Sequence, residues 1–312
     1  MQLLLIVNPA ASSVTPRIQV LIQRQLGERH DVRVAETTRR NHATRLAEDA
    51  VRRGVDGVVV LGGDGTVNEV ANGIAGSDCA LVPLPGGSTN VFCRTLDLPD
   101  DPRDAVQRSL RAIEEGLVQR VGLGLVNGRY FLFHTGVGFD AAVVEQVERQ
   151  GDLKRYLNHP LFVYAAIKTW LRHYDRSSPA FSVDFDKGTG STSKGVDDGY
   201  FLICLNTDPY TYLGNMPLSV DPKAHLDSGL STITLTSLRS DHLLRIVVDA
   251  IRPPSGLQHS KWVDVRSDCD RVRLIAHRPV PVQVDGDFIG NSTEIVFEHE
   301  PNAMLLARTD LL

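Results

Sequence analysis

The run Gly62-Gly63-Asp64-Gly65-Thr66-Val67-Asn68-Glu69-Val70 concentrates the clearest chemistry in the chain. Its three glycines in four positions let a backbone turn tightly and approach a phosphate closely. Amide N–H groups and the start of a following helix would then offer an anion site. Asp64 puts a carboxylate beside that site, which makes sense if a Mg2+ lies between it and phosphate oxygens. Thr66 can donate to a phosphate or cap the helix, and Glu69 is expected in the first turn. The plainer alternative is a tight turn with a cap. The apolar run Gly57–Leu61 before the loop and the helix-forming run after it favour phosphate binding, because ligands of such sheets sit at strand carboxyl ends. The loop is neither a G-x-x-x-x-G-K-[ST] nor a G-x-G-x-x-G element. A second loop, Pro83-Leu84-Pro85-Gly86-Gly87-Ser88-Thr89-Asn90-Val91-Phe92, also follows a strand-like run. It could form the other wall of one nucleotide pocket, with Ser88, Thr89 and Asn90 as neutral hydrogen-bonding groups. Simple helix capping is the alternative for these three.

Other chemistries find no support. The ten histidines form no H-E-x-x-H set, and no serine lies in a G-x-S-x-G elbow. Cys79, Cys93, Cys204 and Cys269 show no C-x-x-C pairing, which reads as a reduced, intracellular chain with buried thiols. His134 reads as a packed histidine.

The elements that must hold these loops change character along the chain. Up to about residue 120, strand and helix signals alternate. Leu3–Val7, Val32–Ala35, Gly57–Leu61 and Ala80–Leu84 are strand-like; 15–29, His42–Arg53 and Val67–Ile74 are helical. Thr15 can cap and Pro16 suits a first turn. The unbroken Gly57–Leu61 run marks a central parallel strand. The alternation predicts a doubly wound α/β domain. Beyond that point, Tyr130–Thr135, Ala180–Phe185, Tyr200–Leu205, Leu230–Leu238, Arg271–Ile275, Val280–Val284 and Glu294–Phe297 read as strands of a mainly antiparallel second domain. Helical stretches at Ala141–Arg149 and Pro160–Tyr174 interrupt it, and Gly188–Gly199 reads as a loop tip.

At 312 residues, 42% hydrophobic and 23% charged, the chain can bury a large core. Its net charge of −5 argues against a nucleic-acid binder working through a broad basic surface. The run Leu3–Val7 is too short for a secretory h-region, and no run of about 18 apolar residues predicts a membrane span. A lipid substrate would require the protein to visit a membrane. The basic and aromatic stretch Leu153–Asp175 could touch an anionic surface, or be a partly buried helix with basic ends.

The two glycine loops, the run His134-Thr135-Gly136-Val137-Gly138-Phe139-Asp140-Ala141 and Val284-Asp285-Gly286-Asp287 occur in the order seen in the diacylglycerol kinase catalytic-domain family. The chain resembles the bacterial lipid kinases of that family, relatives of sphingosine and ceramide kinases, over nearly its whole length. The resemblance implies an amino-terminal α/β domain, residues 1–122 completed by 298–312, and a carboxy-terminal β-sandwich-like lipid domain, 123–297, with ATP between them. It implies nucleotide contacts at Asn8, Pro9, Ala10 and Ser12, at Thr37, along Gly62–Asn68 and at Ser88. The usual glycine and lysine near Asn8 are absent, leaving Arg17 as the nearest basic group for phosphate.

The family's proton acceptor falls on Asp287, one methylene shorter than the usual glutamate, with Asp64 the competing base. If the strand continues through Gly286, Asp285 and Asp287 share a face; a tight turn at Val284–Phe288 is the alternative. A structural Mg2+ is implied at Asp227 with the His225 and Leu230 carbonyls, although Gly122 and Ser228 stand where family members carry carboxylates. The catalytic Mg2+ that accompanies ATP is separate, and Asp64 would help to place it.

The implied activity is transfer of the γ-phosphate of ATP to the hydroxyl of a diacylglycerol-like lipid. A kinase for a sphingoid or other lipid alcohol, and an ATP-binding regulatory protein whose catalysis has decayed, are the rival readings. Cytoplasmic location at the inner face of the membrane, transient membrane contact, a possible homodimer and no nucleic-acid partner complete the expectation.

Overall fold

The computed structural model describes residues 1–138, 141, 178–186, 192–239, 241–243, 245–246 and 256–311. The helical readings at 142–149 and Pro160–Tyr174, the stretch Leu153–Asp175, and Phe139-Asp140 lie outside the described residues. The chain forms two compact units, Met1–Leu123 with Pro301–Leu312, and Gly124–Glu300.

The first unit alternates strand and helix: β1 (Gln2–Val7), α1 (Pro16–Gly27), β2 (Asp31–Glu36), α2 (His42–Arg52), β3 (Gly57–Gly62), α3 (Asp64–Ile74), β4 (Ala80–Pro85), α4 (Val91–Thr95) and α5 (Pro102–Glu114). The strands are parallel in the order β2-β1-β3-β4. Every residue of β3 and β4 is buried, as the unbroken apolar runs require. The order reverses between β1 and β3, the switch point at which doubly wound sheets bind ligands.

Local signals explain most element ends. Thr15 Oγ1 accepts from the Ile18 amide at 3.3 Å, and Pro16 opens α1. Gly54 follows α2 with φ +67, a conformation that suits glycine. Helix α3 starts at Asp64 rather than Val67. Gly63 is extended and its carbonyl accepts from the Thr66 and Val67 amides at 2.9 and 3.1 Å. Glu69 therefore falls in the second turn.

Helix α5 was not expected. Its buried face is Ala105, Val106, Ser109 and Ala112, spaced three and four residues apart as on one side of a helix. That spacing and the cap are the signals that could have found it: Asp101 accepts from the Arg103 amide at 2.9 Å and Pro102 follows.

The second unit is built from strands. After β5 (Val118–Val126) come β6 (Arg129–Phe131), β7 (His134–Gly138), β8 (Phe181–Asp186), β9 (Thr192–Gly199) and β10 (Phe201–Leu205). Then follow β11 (Thr211–Leu213), β12 (Met216–Leu218), β13 (Leu230–Leu235), β14 (Val263–Cys269), β15 (Arg271–Val284) and β16 (Asp287–Ala307). Pairing is antiparallel in the order β14-β13-β10-β7-β15-β16, with β8 joined to β15 and β9 to β8. Strand β10 buries Leu202 and Cys204 with Phe181 and Phe185, and Ile203 and Leu205 with Val220 and Leu257. That is the period-two alternation of a strand covered on both faces.

Three sequence expectations change here. Tyr130–Thr135 divides into β6 and β7. Arg271–Ile275 and Val280–Val284 are one strand, whose first half pairs with β8 and second half with β7, with an irregularity between Ile275 and Val280. Within Gly188–Gly199, residues 192–199 form a strand rather than a loop tip. Gly199 serves packing there: a Cβ would stand 2.2 Å from the Phe181 ring.

The 21-residue β16 leaves the second unit at Glu300, enters the first at Pro301, and pairs parallel with β4 through Leu305 and Leu306. All four cysteines are buried thiols, and burial pushes Cys79 up to about 11. No helix among the described residues is long and apolar enough to cross a membrane.

Candidate functional site

The loops at the carboxyl ends of the four parallel strands are cross-linked into one edge. Asn8, just after β1, stands at the switch point. Its amide donates to Leu61 O at 2.9 Å and its Nδ2 to Thr66 Oγ1 at 2.9 Å, which ties β1 to the glycine loop. Its Oδ1 accepts from the Ala10 amide at 3.0 Å and shapes the turn that follows. Ser13 then donates its amide to Gly86 O at 2.9 Å and its hydroxyl to Gly87 O at 3.3 Å. Thr37, after β2, donates its amide to Val7 O at 2.8 Å. Pro9, Ala10, Ser12, Arg17 and Ser88 are exposed around this edge, and Thr37 is half-buried.

The two glycine loops touch backbone to backbone. A Cβ on Gly86 would stand 2.7 Å from the Gly62 nitrogen, and one on Gly87 2.8 Å from the Gly63 Cα. The Gly86 amide donates to Gly62 O at 2.9 Å. Close loop packing thus demands glycine here, beyond any need to approach a phosphate. Asn90, left-handed at φ 51, closes the second loop: its Oδ1 accepts from the Gly87 amide at 2.7 Å and its Nδ2 donates to Gly87 O at 2.9 Å.

Asp64 fastens the loops from below. Its two carboxylate oxygens accept from the Val91 and Phe92 amides at 3.0 and 3.1 Å, capping α4. Asp64 is also a hard oxygen donor of the type a Mg2+ takes. Gly65 lies in the same turn. Asn68 is buried, and its Oδ1 accepts from Asn72 Nδ2 at 3.2 Å.

Asp287 belongs to the second unit. The chain turns between β15 and β16, with Asp285 at φ 46 and Gly286 at φ 81, the form favoured by an Asp-Gly two-residue hairpin. The strand does not continue through Gly286, so Asp285 and Asp287 have different fates. Asp285 is buried, and its oxygens accept from the Leu132, Phe133 and His134 amides at 2.8, 3.1 and 3.1 Å. Its own amide donates to His134 O at 2.9 Å. Gln283, fully buried, accepts the Gly286 amide at 2.9 Å through Oε1. Asp287, half-buried, is delivered at the start of β16 opposite Val284. The sequence reading missed Gln283 and Ser13, for which no motif gives a signal.

His134 packs between the rings of Phe133 and Tyr210, with centroids 4.9 and 4.5 Å away. Burial pushes it down to about 3, so the imidazole is neutral. The unfolded chain therefore binds a proton below about pH 6.5 that the folded chain refuses until about pH 3. Stability contributed this way is complete above that window and falls as pH drops through it. His134→Phe should flatten the acid side by up to about 1.4 kcal/mol per pH unit. Equilibrium unfolding at several pH values checks this; equal slopes in variant and wild type would refute it.

The implied structural Mg2+ does not fit the turn at 225–230. The His225 carbonyl receives both the Ser228 amide and the Ser228 hydroxyl, each at 2.9 Å. The Asp227 amide donates to His225 Nδ1 at 3.3 Å, and Leu230 is in register with Cys269 in the β13–β14 ladder. Asp227 is the one carboxylate of the turn and is exposed. The Ser228 hydroxyl lies 3.3, 2.9 and 3.2 Å from the Lys223, His225 and Gly229 carbonyls, in the place a hard cation would need among those oxygens. Among the described residues no group of three or more His, Cys, Asp or Glu is placed to hold a metal.

Comparison with known proteins agrees with the fold and gives the family. The diacylglycerol kinase catalytic domain family matches residues 2–126. The "Probable lipid kinase YegS-like" of Chromohalobacter salexigens is 32% identical over 267 residues, covering 76% of this chain and 83% of that one. The diacylglycerol kinase of Bacillus subtilis is 38% identical over 104 residues, a third (33%) of each chain. A solved diacylglycerol kinase structure from Bacillus anthracis str. Sterne superposes with a TM-score of 0.70 at 19% identity, covering 98% of this chain and 96% of that one; this likeness speaks to the fold. A relative aligned over most of both chains and the catalytic-domain match at residues 2–126 place this protein in the diacylglycerol kinase and YegS-like lipid kinase family.

Proposed function

We propose that the protein transfers the γ-phosphate of ATP to the hydroxyl of a diacylglycerol-like lipid. The observation that carries this reading is the welded edge of the first unit. Asn8, Gly62–Thr66 and Gly86–Asn90 are cross-linked by backbone and side-chain bonds, around a helix start that suits phosphate. Such an edge needs no reorganisation when a polyphosphate arrives, which is how phosphoryl transfer is mostly catalysed. In this reading the first unit binds nucleotide and the second receives the lipid.

The residues divide the work. The backbone of Gly62–Gly65 and the start of α3 hold phosphate oxygens, with Thr66 and Ser88 as hydroxyl donors and Arg17 as the nearby cation. Asn8 through Ser12 and Thr37 line the nucleoside side. Asp64 would hold the Mg2+ that neutralises charge on the transferring phosphoryl group. Asp287 accepts the proton of the attacking lipid hydroxyl. Asp64 is the weaker choice for that task, because both its oxygens are already engaged in capping α4. The substrate is reached by transient contact with the inner face of the membrane from the cytoplasm.

Radiolabelled ATP with Mg2+ and mixed micelles carrying diacylglycerol, monoacylglycerol, sphingosine or ceramide tests this, with NAD run in parallel without lipid. Label in diacylglycerol is expected. Label confined to a sphingoid base would move the acceptor. Label in NAD, or none with ATP still bound, would overturn the lipid-kinase assignment.

A further inference from the structure

Helix α3 carries a second carboxylate that the phosphate-loop reading does not use. Glu69 reaches to the neighbouring helix: Oε1 accepts from the Asn41 amide at 2.7 Å and Oε2 from the Ala43 amide at 3.0 Å. The Thr44 hydroxyl donates to the Glu69 carbonyl at 2.8 Å. Helix α2 needs this help. Its N-cap residue, Asn41, is left-handed at φ 62 and makes no side-chain cap hydrogen bond. A helix start without a cap leaves amides unpaired, and Glu69 supplies the acceptor from outside.

The turn it holds is Thr37–Asn41. One end is fixed to β1 by the Thr37 amide on Val7 O. In the middle, the Thr38 amide donates to His42 Nδ1 at 3.1 Å and the His42 amide to Arg39 O at 3.2 Å. The other end is fixed by Glu69. Asp64 does the same on the opposite side, capping α4. One helix thus caps both of its neighbours, and the two acids of a single motif lock the loops flanking it.

We infer that Glu69 is a positioning residue for nucleotide binding, holding the Thr37–Asn41 turn ready at the carboxyl edge of β2 without touching nucleotide or the reacting atoms. This rests on the reading that the first unit binds ATP. Each oxygen serves a different amide, so a carboxylate is needed. Glutamine would present its NH2 to one of the two donors.

Glu69→Gln tests it, with Glu69→Ala as the stronger lesion. Affinity for ATP with Mg2+ is measured by calorimetry without lipid, wild type first, followed by full kinetics and amide exchange. In Glu69→Gln the Kd and KM for ATP should rise about tenfold, while kcat and the lipid KM stay within about twofold. Exchange at Asn41 and Ala43 should accelerate. Faster exchange with unchanged ATP affinity would overturn the proposal, as would a fallen kcat at unchanged KM for ATP. A wild type that binds no ATP would sink the nucleotide reading and this inference with it; ATP binding unaffected in both variants would sink the inference alone.

Discussion

Asp287→Asn should lower turnover by about 10²- to 10⁴-fold, the usual worth of a positioned general base, and leave ATP affinity unchanged. The amide has the shape of the carboxylate but cannot take the hydroxyl proton. The hairpin that delivers it is held by other residues, Asp285 and Gln283, so the variant keeps its fold and the loss reports chemistry. The measurement is kcat at saturating ATP and lipid, beside the Kd for ATP. Near wild-type turnover here, with loss in Asp64→Asn, would move the base to the glycine loop.

Asp285→Ala should destabilise the second unit by about 4 kcal/mol or more. Three buried amides lose their acceptor, each leaving a desolvation penalty of about 1–3 kcal/mol, and alanine at a left-handed φ adds strain of about 1–2 kcal/mol. Asp285→Asn should recover part of the loss, since asparagine tolerates that conformation and keeps one acceptor oxygen. Trp262 lies in the second unit and the first unit holds no tryptophan, so fluorescence in a urea titration reports the second unit specifically. A midpoint for Asp285→Ala within about 1 kcal/mol of wild type would show that water replaces the carboxylate and that the clamp is dispensable.

The core strands of the first unit were legible because their signals are local. Gly57–Leu61 is a β-branched run bounded by glycine, and Thr15-Pro16 opens a helix by two residues alone. The Asp285-Gly286 pair is itself a strong hairpin signal, yet a second acid two residues on invited the same-face reading. What remained hidden depends on partners distant in sequence. Asp64 meets Val91, Glu69 meets Asn41, and Asp285 meets Leu132; no spacing rule links these positions. The two motif acids could be read as chemistry from type and neighbourhood. Their service as caps could be read only once the helices lay side by side. Strand β9 was misread because Gly199 looks like a turn residue until the Phe181 ring is placed against it.

The path of β16 has a consequence for biosynthesis. Residues 1–123 emerge from the ribosome before the second unit, but the parallel neighbour of β4 is Leu305–Leu306, which emerges after it. While residues 124–300 are being translated, the backbone groups of β4 on that side face solvent or a chaperone. The first unit is therefore begun before the second and closed after it, and an amino-terminal fragment ending near residue 123 keeps a naked sheet edge however well its loops are formed.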